Sequence, residues 1–134
     1  MLVNALRRAL YLQAAVWAVA GIVFAAAPRF AMDTVLGQPP PAEPAWFRIL
    51  GLQAFGLALL MVLVGHRAQD LWWWSWAFAF ATVGTAVVAI LHAAFGVRAG
   101  DSAAPWWGLA AVAVAFSVAL LYGLYVTARE YEPG

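Results

Sequence analysis

The sequence contains no cysteine and no lysine, and its 134 residues include only seven arginines and six acidic residues. Without thiols the chain cannot form disulfides, iron–sulfur clusters, thiolate nucleophiles or cysteine-based zinc sites. Its net charge is +1 and the charges are scattered singly, so no basic surface is available for nucleic acid. Only 10% of the residues are charged, whereas a soluble domain has about a quarter, so a water-facing surface is excluded.

Apolar residues make up 66% of the chain and are collected into four long stretches. A helix rises about 1.5 Å per residue, so about 20 residues cross the roughly 30 Å hydrocarbon core of a bilayer. We therefore predict an all-α fold, an antiparallel bundle of four transmembrane helices with both termini on the same side. The predicted helices are residues 7–28, 46–65, 71–95 and 105–127, in a single integral membrane domain that covers 1–134.

Proline and glycine mark the predicted helix boundaries. Pro28 ends the first helix because it cannot continue the backbone hydrogen-bond ladder, and residues 30–36 are expected to form a short interfacial helix stopped by Gly37. A proline-rich connector over 39–44 follows. The tight turn at 66–70 predicts that the second and third helices pack as a hairpin. Tryptophan and tyrosine near the helix ends are typical of an interfacial aromatic belt.

The first apolar run resembles a secretory signal because Arg7 and Arg8 precede it and three alanines end it. The run is longer than a signal-peptide core, and Pro28 would follow the cut directly, so we expect a retained helix. Arginine counts give the orientation, since cytoplasmic loops are enriched in positive charge. The terminal side carries Arg7, Arg8, Arg67 and Arg129, and the opposite side carries Arg29, Arg48 and Arg98. The termini are therefore expected to be cytoplasmic.

Small residues at four-residue spacing predict where the helices touch, because helices in lipid associate through close backbone approach. Gly21 on the first helix and Gly51 on the second are candidates for such contact. Stripes on the third and fourth helices are expected to face inward: Ala77, Ala81, Thr85, Ala89 and Ala93, and Ala111, Ala115, Ala119 and Gly123.

Polar side chains inside the membrane are few, and such side chains usually face the protein interior. We expect interhelical polar contacts from Gln13, Ser75, Thr82, Thr85 and Ser117. Gln53 lies between the levels of Thr85 and His92, so a hydrogen bond to either is expected.

No catalytic or metal site is predicted. His66 and His92 should lie roughly 25–30 Å apart, nearly a bilayer thickness, so they cannot share one haem or metal ion. Neither histidine has an intramembrane carboxylate as a companion ligand. Paired carboxylates, a Ser–His–Asp set and a glycine-rich phosphate loop are also absent from the predicted spans, so no catalytic residue and no cofactor are assigned.

One group of residues is a candidate ligand site. Arg48, Gln53 and His92 lie in the same half of the predicted bundle and could line a pocket on the side opposite the termini. A guanidinium, an amide and an imidazole suit a lipid phosphate, a quinone carbonyl or a small anion. The competing interpretation is that Arg48 extends to the headgroups and His92 is an interhelical hydrogen-bond donor.

The stretch 46–57, Trp-Phe-Arg-Ile-Leu-Gly-Leu-Gln-Ala-Phe-Gly-Leu, resembles the Arg-x-x-Gly…Gly-Leu opening of the second helix in small bacterial DoxX-like membrane proteins. The first helix, which closes with Phe24 and Pro28, is similar too. The resemblance implies a four-helix bundle in a bacterial membrane, often of unassigned role and sometimes an accessory subunit of a membrane redox system. It carries no catalytic residues to this chain.

Two functions remain open from the sequence. The first is a non-enzymatic accessory or scaffold protein of the bacterial cytoplasmic membrane, whose partners are the lipid bilayer, other membrane subunits or further copies of itself. The second is a binder or carrier of an apolar ligand such as a quinone or lipid, held by Arg48, Gln53 and His92. A filled bundle interior favours the first, and a pocket that reaches His92 favours the second.

Overall fold

A computed structural model describes residues 3–132, which form helices joined by one short turn and two longer connections and contain no β-strand. Four helices are long: α1 is Val3–Ala26, α2 is Pro44–His66, α3 is Ala68–Gly96 and α4 is Ala104–Tyr131. Each is long and apolar enough to cross a membrane, which indicates an integral membrane protein. The prediction of an all-helical chain with four long apolar helices is confirmed.

Proline positions explain where these helices begin. Pro44 opens α2 and Pro105 lies in the first turn of α4, where the missing N–H would have had no helical partner. The Glu43 carboxylate accepts a hydrogen bond from the backbone N–H of Ala45 at 3.2 Å and so caps α2. α1 begins before residue 7, its predicted start, and α4 extends beyond residue 127.

The connection between α1 and α2 is itself partly helical. An α-helical turn at Pro28–Phe30 continues into a wider π-helical turn at Ala31–Val35. Gly37 follows with φ of +59°, a conformation that glycine adopts without steric cost. The short helix predicted at 30–36, with Gly37 as its stop, is therefore present.

α1 is the central helix of the packing. It contacts α2 most extensively and α4 next, while α3 packs mainly on α4. The tight turn expected at 66–70 is present at Arg67, yet α2 and α3 make few contacts along their lengths. The predicted hairpin packing of the second and third helices is therefore wrong, because each of them packs against a different neighbour.

Two glycines permit the close contacts of α1 with its neighbours. A Cβ atom built on Gly51 of α2 would lie 2.5 Å from the backbone nitrogen of Ala25 and 2.6 Å from the carbonyl oxygen of Gly21. A Cβ atom on Gly123 of α4 would lie 2.8 Å from the Cα atom of Leu6. Real Cβ atoms do not approach so closely, so these backbones touch only because glycine is there.

A single cluster of buried side chains joins the four helices. Its largest fully buried members are leucines and a methionine from α1, α2 and α4, and Phe78 and Ala79 of α3 pack against them. The cluster contains Leu6, Ala9, Leu10, Ala14, Ala58, Met61, Val64, Phe78, Ala79, Leu120 and Leu124.

The small-residue stripes predicted for the third and fourth helices are misplaced in part, since four of their nine residues are exposed and Thr85 and Ala119 are half-buried. Ala77, Ala81, Ala111 and Ala115 are exposed, whereas Ala89, Ala93 and Gly123 are buried as expected. The inward faces instead follow alternating spacings of three and four residues: Ser75, Ala79, Thr82, Ala86 and Ala89 on α3, and Ala110, Ala113, Ser117, Leu120 and Leu124 on α4. Inward and lipid-facing surfaces are equally apolar, so composition alone did not distinguish them.

Candidate functional site

Arg48 is held by the end of α1. Its Nη1 donates to the carbonyl oxygen of Ala25 at 2.9 Å and more weakly to that of Ala26 at 3.4 Å. The last carbonyls of a helix have no helical partner and carry the negative end of the helix dipole. The guanidinium of Arg48 therefore caps α1 and ties it to α2.

A cavity of about 360 Å³ lies beside this cap, where α1 ends and α2 begins. Two arginines, Arg29 and Arg48, contribute its charged groups, and apolar side chains form its remaining walls. The lining residues are Ala27, Pro28, Arg29, Phe30, Pro44 and Arg48. The sequence singled out Arg48 but not Arg29, although Pro28 beside it already indicated that the chain changes direction at this point.

Gln53 lies on the exposed face of α2, away from α1. Its predicted hydrogen bond to Thr85 or His92 is not present in the described part of the chain, and the Thr85 hydroxyl donates instead to the carbonyl oxygen of Ala81 at 2.9 Å. Gly56, one helical turn after Gln53, has open space where a Cβ atom would stand. An amide and a small residue thus lie close together on an outward surface.

His92 packs against the start of α4. Its ring centroid lies 4.2 Å from that of Trp106, with the ring planes tilted by 54°. His92 also opens the π-helical turn His92–Gly96, and a Cβ atom on Gly96 would lie 2.5 Å from its Nδ1 atom. The imidazole therefore lies between the Trp106 ring and Gly96, which has no side chain to occupy that space.

A second cavity, also of about 360 Å³, lies between α3 and α4 next to Trp106. Its walls are mostly apolar, and it is lined by Gly84, Thr85, Val88, Ala89, Trp106 and Leu109. The indole Nε1 of Trp106 is buried and has no hydrogen-bond partner among the described residues. Trp106 is one of the tryptophans near helix ends that predict an aromatic belt, and nothing in the sequence connects it with His92.

The three residues predicted to form one ligand site therefore occupy different places. Arg48 lines the cavity beside the end of α1, and His92 packs on Trp106 of the other cavity. Gln53 lines neither cavity. The cause is the packing order: α2, which carries Arg48 and Gln53, has few contacts with α3, which carries His92.

One interhelical polar contact lies in the centre of the protein. The Nε2 atom of Gln13 on α1 donates to the hydroxyl oxygen of Thr82 on α3 at 2.6 Å, and that hydroxyl donates to the carbonyl oxygen of Phe78 at 2.6 Å. Gln13 is completely buried, yet its Oε1 atom has no donor among the described residues. Gln13 and Thr82 thus make the interhelical contact expected of them.

Thr85 and Ser117, two more of the expected interhelical residues, bond within their own helices. The Ser117 hydroxyl donates to the carbonyl oxygen of Ala113 at 2.7 Å, as Thr85 does to that of Ala81. A hydroxyl four residues after a carbonyl can reach it directly, so it needs no neighbouring helix. Ser75, for which an interhelical contact was also expected, and Thr127, which the sequence did not single out, are buried hydroxyls without a partner among residues 3–132.

Replacing Thr82 with valine is expected to lower the free energy of unfolding by about 1–2 kcal/mol, because it leaves the Nε2 atom of Gln13 unpaired in a dry core. The double variant Gln13→Leu/Thr82→Val should be less destabilised than the sum of the two single variants, since both partners are then apolar. Denaturant titration in detergent micelles measures all three. Additive losses would contradict a direct contact between the two side chains.

The described residues contain no group of three or more histidine, aspartate or glutamate side chains placed to hold a metal ion. Comparison with protein-family models, with curated proteins and with solved structures gives no match. The DoxX-like resemblance therefore stays a prediction. The candidate functional features are therefore two separate cavities and one exposed amide on α2.

Proposed function

We propose that this chain is a non-enzymatic accessory or scaffold protein that packs laterally against other components of its membrane. The observation that carries the proposal is the exposed amide of Gln53. It lies about 14 Å along α2 from Pro44, which is near the middle of a membrane-spanning helix. An amide is costly to expose to hydrocarbon and is stabilised when a neighbouring helix supplies hydrogen bonds.

The remaining surface supports the same function. Only 22% to 33% of the membrane-spanning window of each long helix is buried inside the chain. Gly56 gives a second helix room to approach α2 beside the amide. Close approach and an interhelical hydrogen bond are the two forces that bring helices together in lipid, and α2 offers both on its outward face.

The proposal includes an orientation. We place the four helices antiparallel, with both termini on the cytoplasmic side of a bacterial cytoplasmic membrane. Support comes from contacts between early and late parts of neighbouring helices: Gly65 of α2 against the Tyr11 ring, and Trp72 stacked on Tyr131 at 6.0 Å. The arginine count gives the side, because the terminal side carries one more arginine than the other.

Gln53→Leu is expected to weaken the lateral association about 3- to 30-fold, which corresponds to the loss of one interhelical hydrogen bond in lipid. The chain is purified in mild detergent, and native mass spectrometry measures the fraction bound to a second membrane protein or a second copy. Gln69→Leu is the matched control, since Gln69 lies in the first turn of α3, near the helix end, and is also exposed. Equal association of the unsubstituted chain and both variants, or no association of any of the three, would reject the scaffold function.

A second function is favoured by the buried indole of Trp106. Its Nε1–H has no acceptor among the described residues and lies next to a mostly apolar cavity. The apolar walls suit an apolar ligand, and a small shift of the neighbouring side chains would let a quinone carbonyl or a lipid ester accept from the buried N–H. Organic extraction of the purified protein followed by mass spectrometry for quinones tests this alternative, and a stoichiometric quinone would favour it over the scaffold.

A further inference from the structure

The cavity where α1 ends and α2 begins has the composition of an anion site. Its volume of about 360 Å³ falls at the lower end of the range for small-molecule sites. Both of its charged side chains, Arg29 and Arg48, are arginines, and no carboxylate is among the lining residues. A ligand that enters this cavity therefore meets two guanidinium groups and no carboxylate.

Arg48 is positioned for recognition by its bonds to α1. Its Nη1 atom is bonded to the carbonyl oxygens of Ala25 and Ala26, which holds the guanidinium at the end of α1. The Nε and Nη2 atoms carry further N–H donors that these bonds do not use. A preorganised guanidinium loses less entropy when it binds a phosphate, and its fork of donors matches two phosphate oxygens.

Arg29 supplies the second charge of the cavity. It follows Pro28 in the helical turn Pro28–Phe30 and is exposed. Its side chain has no ion-pair or hydrogen-bond partner among residues 3–132, where the salt bridge is that of Arg67 with Asp70. The guanidinium groups of Arg29 and Arg48 thus line the same cavity, and both can donate hydrogen bonds to one anion.

The other walls indicate that the anion belongs to a lipid. Pro28, Phe30 and Pro44 are apolar, and more than half of the Phe30 surface is exposed. The cavity also lies where α1 ends and α2 begins, and the ends of helices long enough to cross a bilayer are expected near the lipid headgroups. A free phosphate would use the two arginines and leave these apolar walls wet, whereas a lipid would cover them with its glycerol and upper acyl chain.

We propose that this cavity binds the phosphate group of an anionic glycerophospholipid, with Arg29 and Arg48 as its ligands. The site is separate from the outward face of α2 that carries Gln53, and it does not depend on the proposed scaffold function. A bound lipid here would bridge the end of α1 to the start of α2 through the two guanidinium groups. Lipid binding would therefore also stabilise this end of the α1–α2 pair.

The experiment is native mass spectrometry of the purified full chain with dioleoyl phosphatidylglycerol or dioleoyl phosphatidylcholine. One phosphatidylglycerol per chain is expected to bind about tenfold more tightly than phosphatidylcholine, and Arg29→Gln should abolish most of that preference. Arg98→Gln is the matched control, an exposed arginine in the other long connection. Equal binding of the two lipids, or equal loss in both variants, would overturn the proposal.

Two further measurements are made. One distinguishes lost binding from a folding defect, and the other distinguishes a lipid from free phosphate. Arg48→Lys keeps a positive charge near the carbonyls of α1 but lacks the planar fork, so it should fold and still bind phosphatidylglycerol several-fold more weakly. Inorganic phosphate and glycerol 3-phosphate are added as competitors at millimolar concentration. No displacement supports a lipid site, and displacement by inorganic phosphate would overturn the assignment to a lipid.

Discussion

Gly51→Val is expected to separate α1 from α2 and to cause a large loss of stability, at or above the upper end of the about 1–3 kcal/mol typical of overpacked sites. Even the Cβ atom would lie 2.5 Å from the Ala25 nitrogen and 2.6 Å from the Gly21 oxygen. Both obstacles are backbone atoms of a helix, which cannot rotate aside as a flexible side chain can. The measurement is the midpoint of unfolding in detergent with increasing denaturant.

Gly108→Val is the control for this substitution. Gly108 lies on the exposed face of α4 and has nothing within 4 Å of a built Cβ atom. The same chemical change there should alter stability by no more than about 0.5 kcal/mol. Gly21→Val should reproduce the effect of Gly51→Val from the other side, since its Cβ atom would meet the carbonyl oxygen of Gly51. Similar midpoints for the three variants would show that the α1–α2 contact is not glycine-dependent.

Hydropathy and proline positions were sufficient to predict the four helices, because the hydrocarbon around a membrane-spanning helix sets the length and composition of that helix. The roughly 30 Å of hydrocarbon requires an apolar run of about 20 residues wherever a helix crosses. Pro28, Pro44 and Pro105 then mark helix boundaries, since proline lacks the N–H that a helix interior needs. Neither inference depends on which helices are neighbours.

The sequence did not predict in the same way which helices are neighbours and which of their faces are buried. In water a helix shows its inward face as an apolar stripe, but in lipid both faces are apolar and the contrast disappears. Ala77 and Ala81 therefore looked as suitable for the interior as Ala79 and Ala86, which are the buried ones. A shift of two residues along a helix turns the chosen face through more than a right angle.

Arg48, Gln53 and His92, which the sequence grouped as a candidate ligand site, lie apart for the same reason. Arg48 and His92 were grouped by depth, and depth does not say whether two helices touch. The short turn at Arg67 made contact between α2 and α3 seem necessary, whereas the glycines that bring α1 against α2 and α4 determine the neighbours instead. Gln13 and Thr82 were each expected to make an interhelical polar contact, and they bond to one another, although the sequence did not pair them.

Leu10→Ala and Leu12→Ala, two residues apart on α1, are expected to differ strongly in their effect on stability. Leu10 is 0% exposed within the core cluster, and Leu12 is 65% exposed toward the surrounding medium. Truncation of a buried leucine leaves a cavity and typically costs about 2–5 kcal/mol in soluble proteins. Truncation of Leu12 should cost at most about 0.5 kcal/mol.

The size of the Leu10 effect also reports on the solvent of this protein. In water the loss contains a transfer term as well as a cavity term, because the unfolded leucine is hydrated. In a membrane the separated helices keep their leucines in hydrocarbon, so the transfer term falls away and lost packing remains. We therefore expect Leu10→Ala to cost about 2 kcal/mol, the low end of the soluble range, when helix separation is measured in bicelles. Equal effects at the two positions would remove Leu10 from the core and, with it, the inward face assigned to α1.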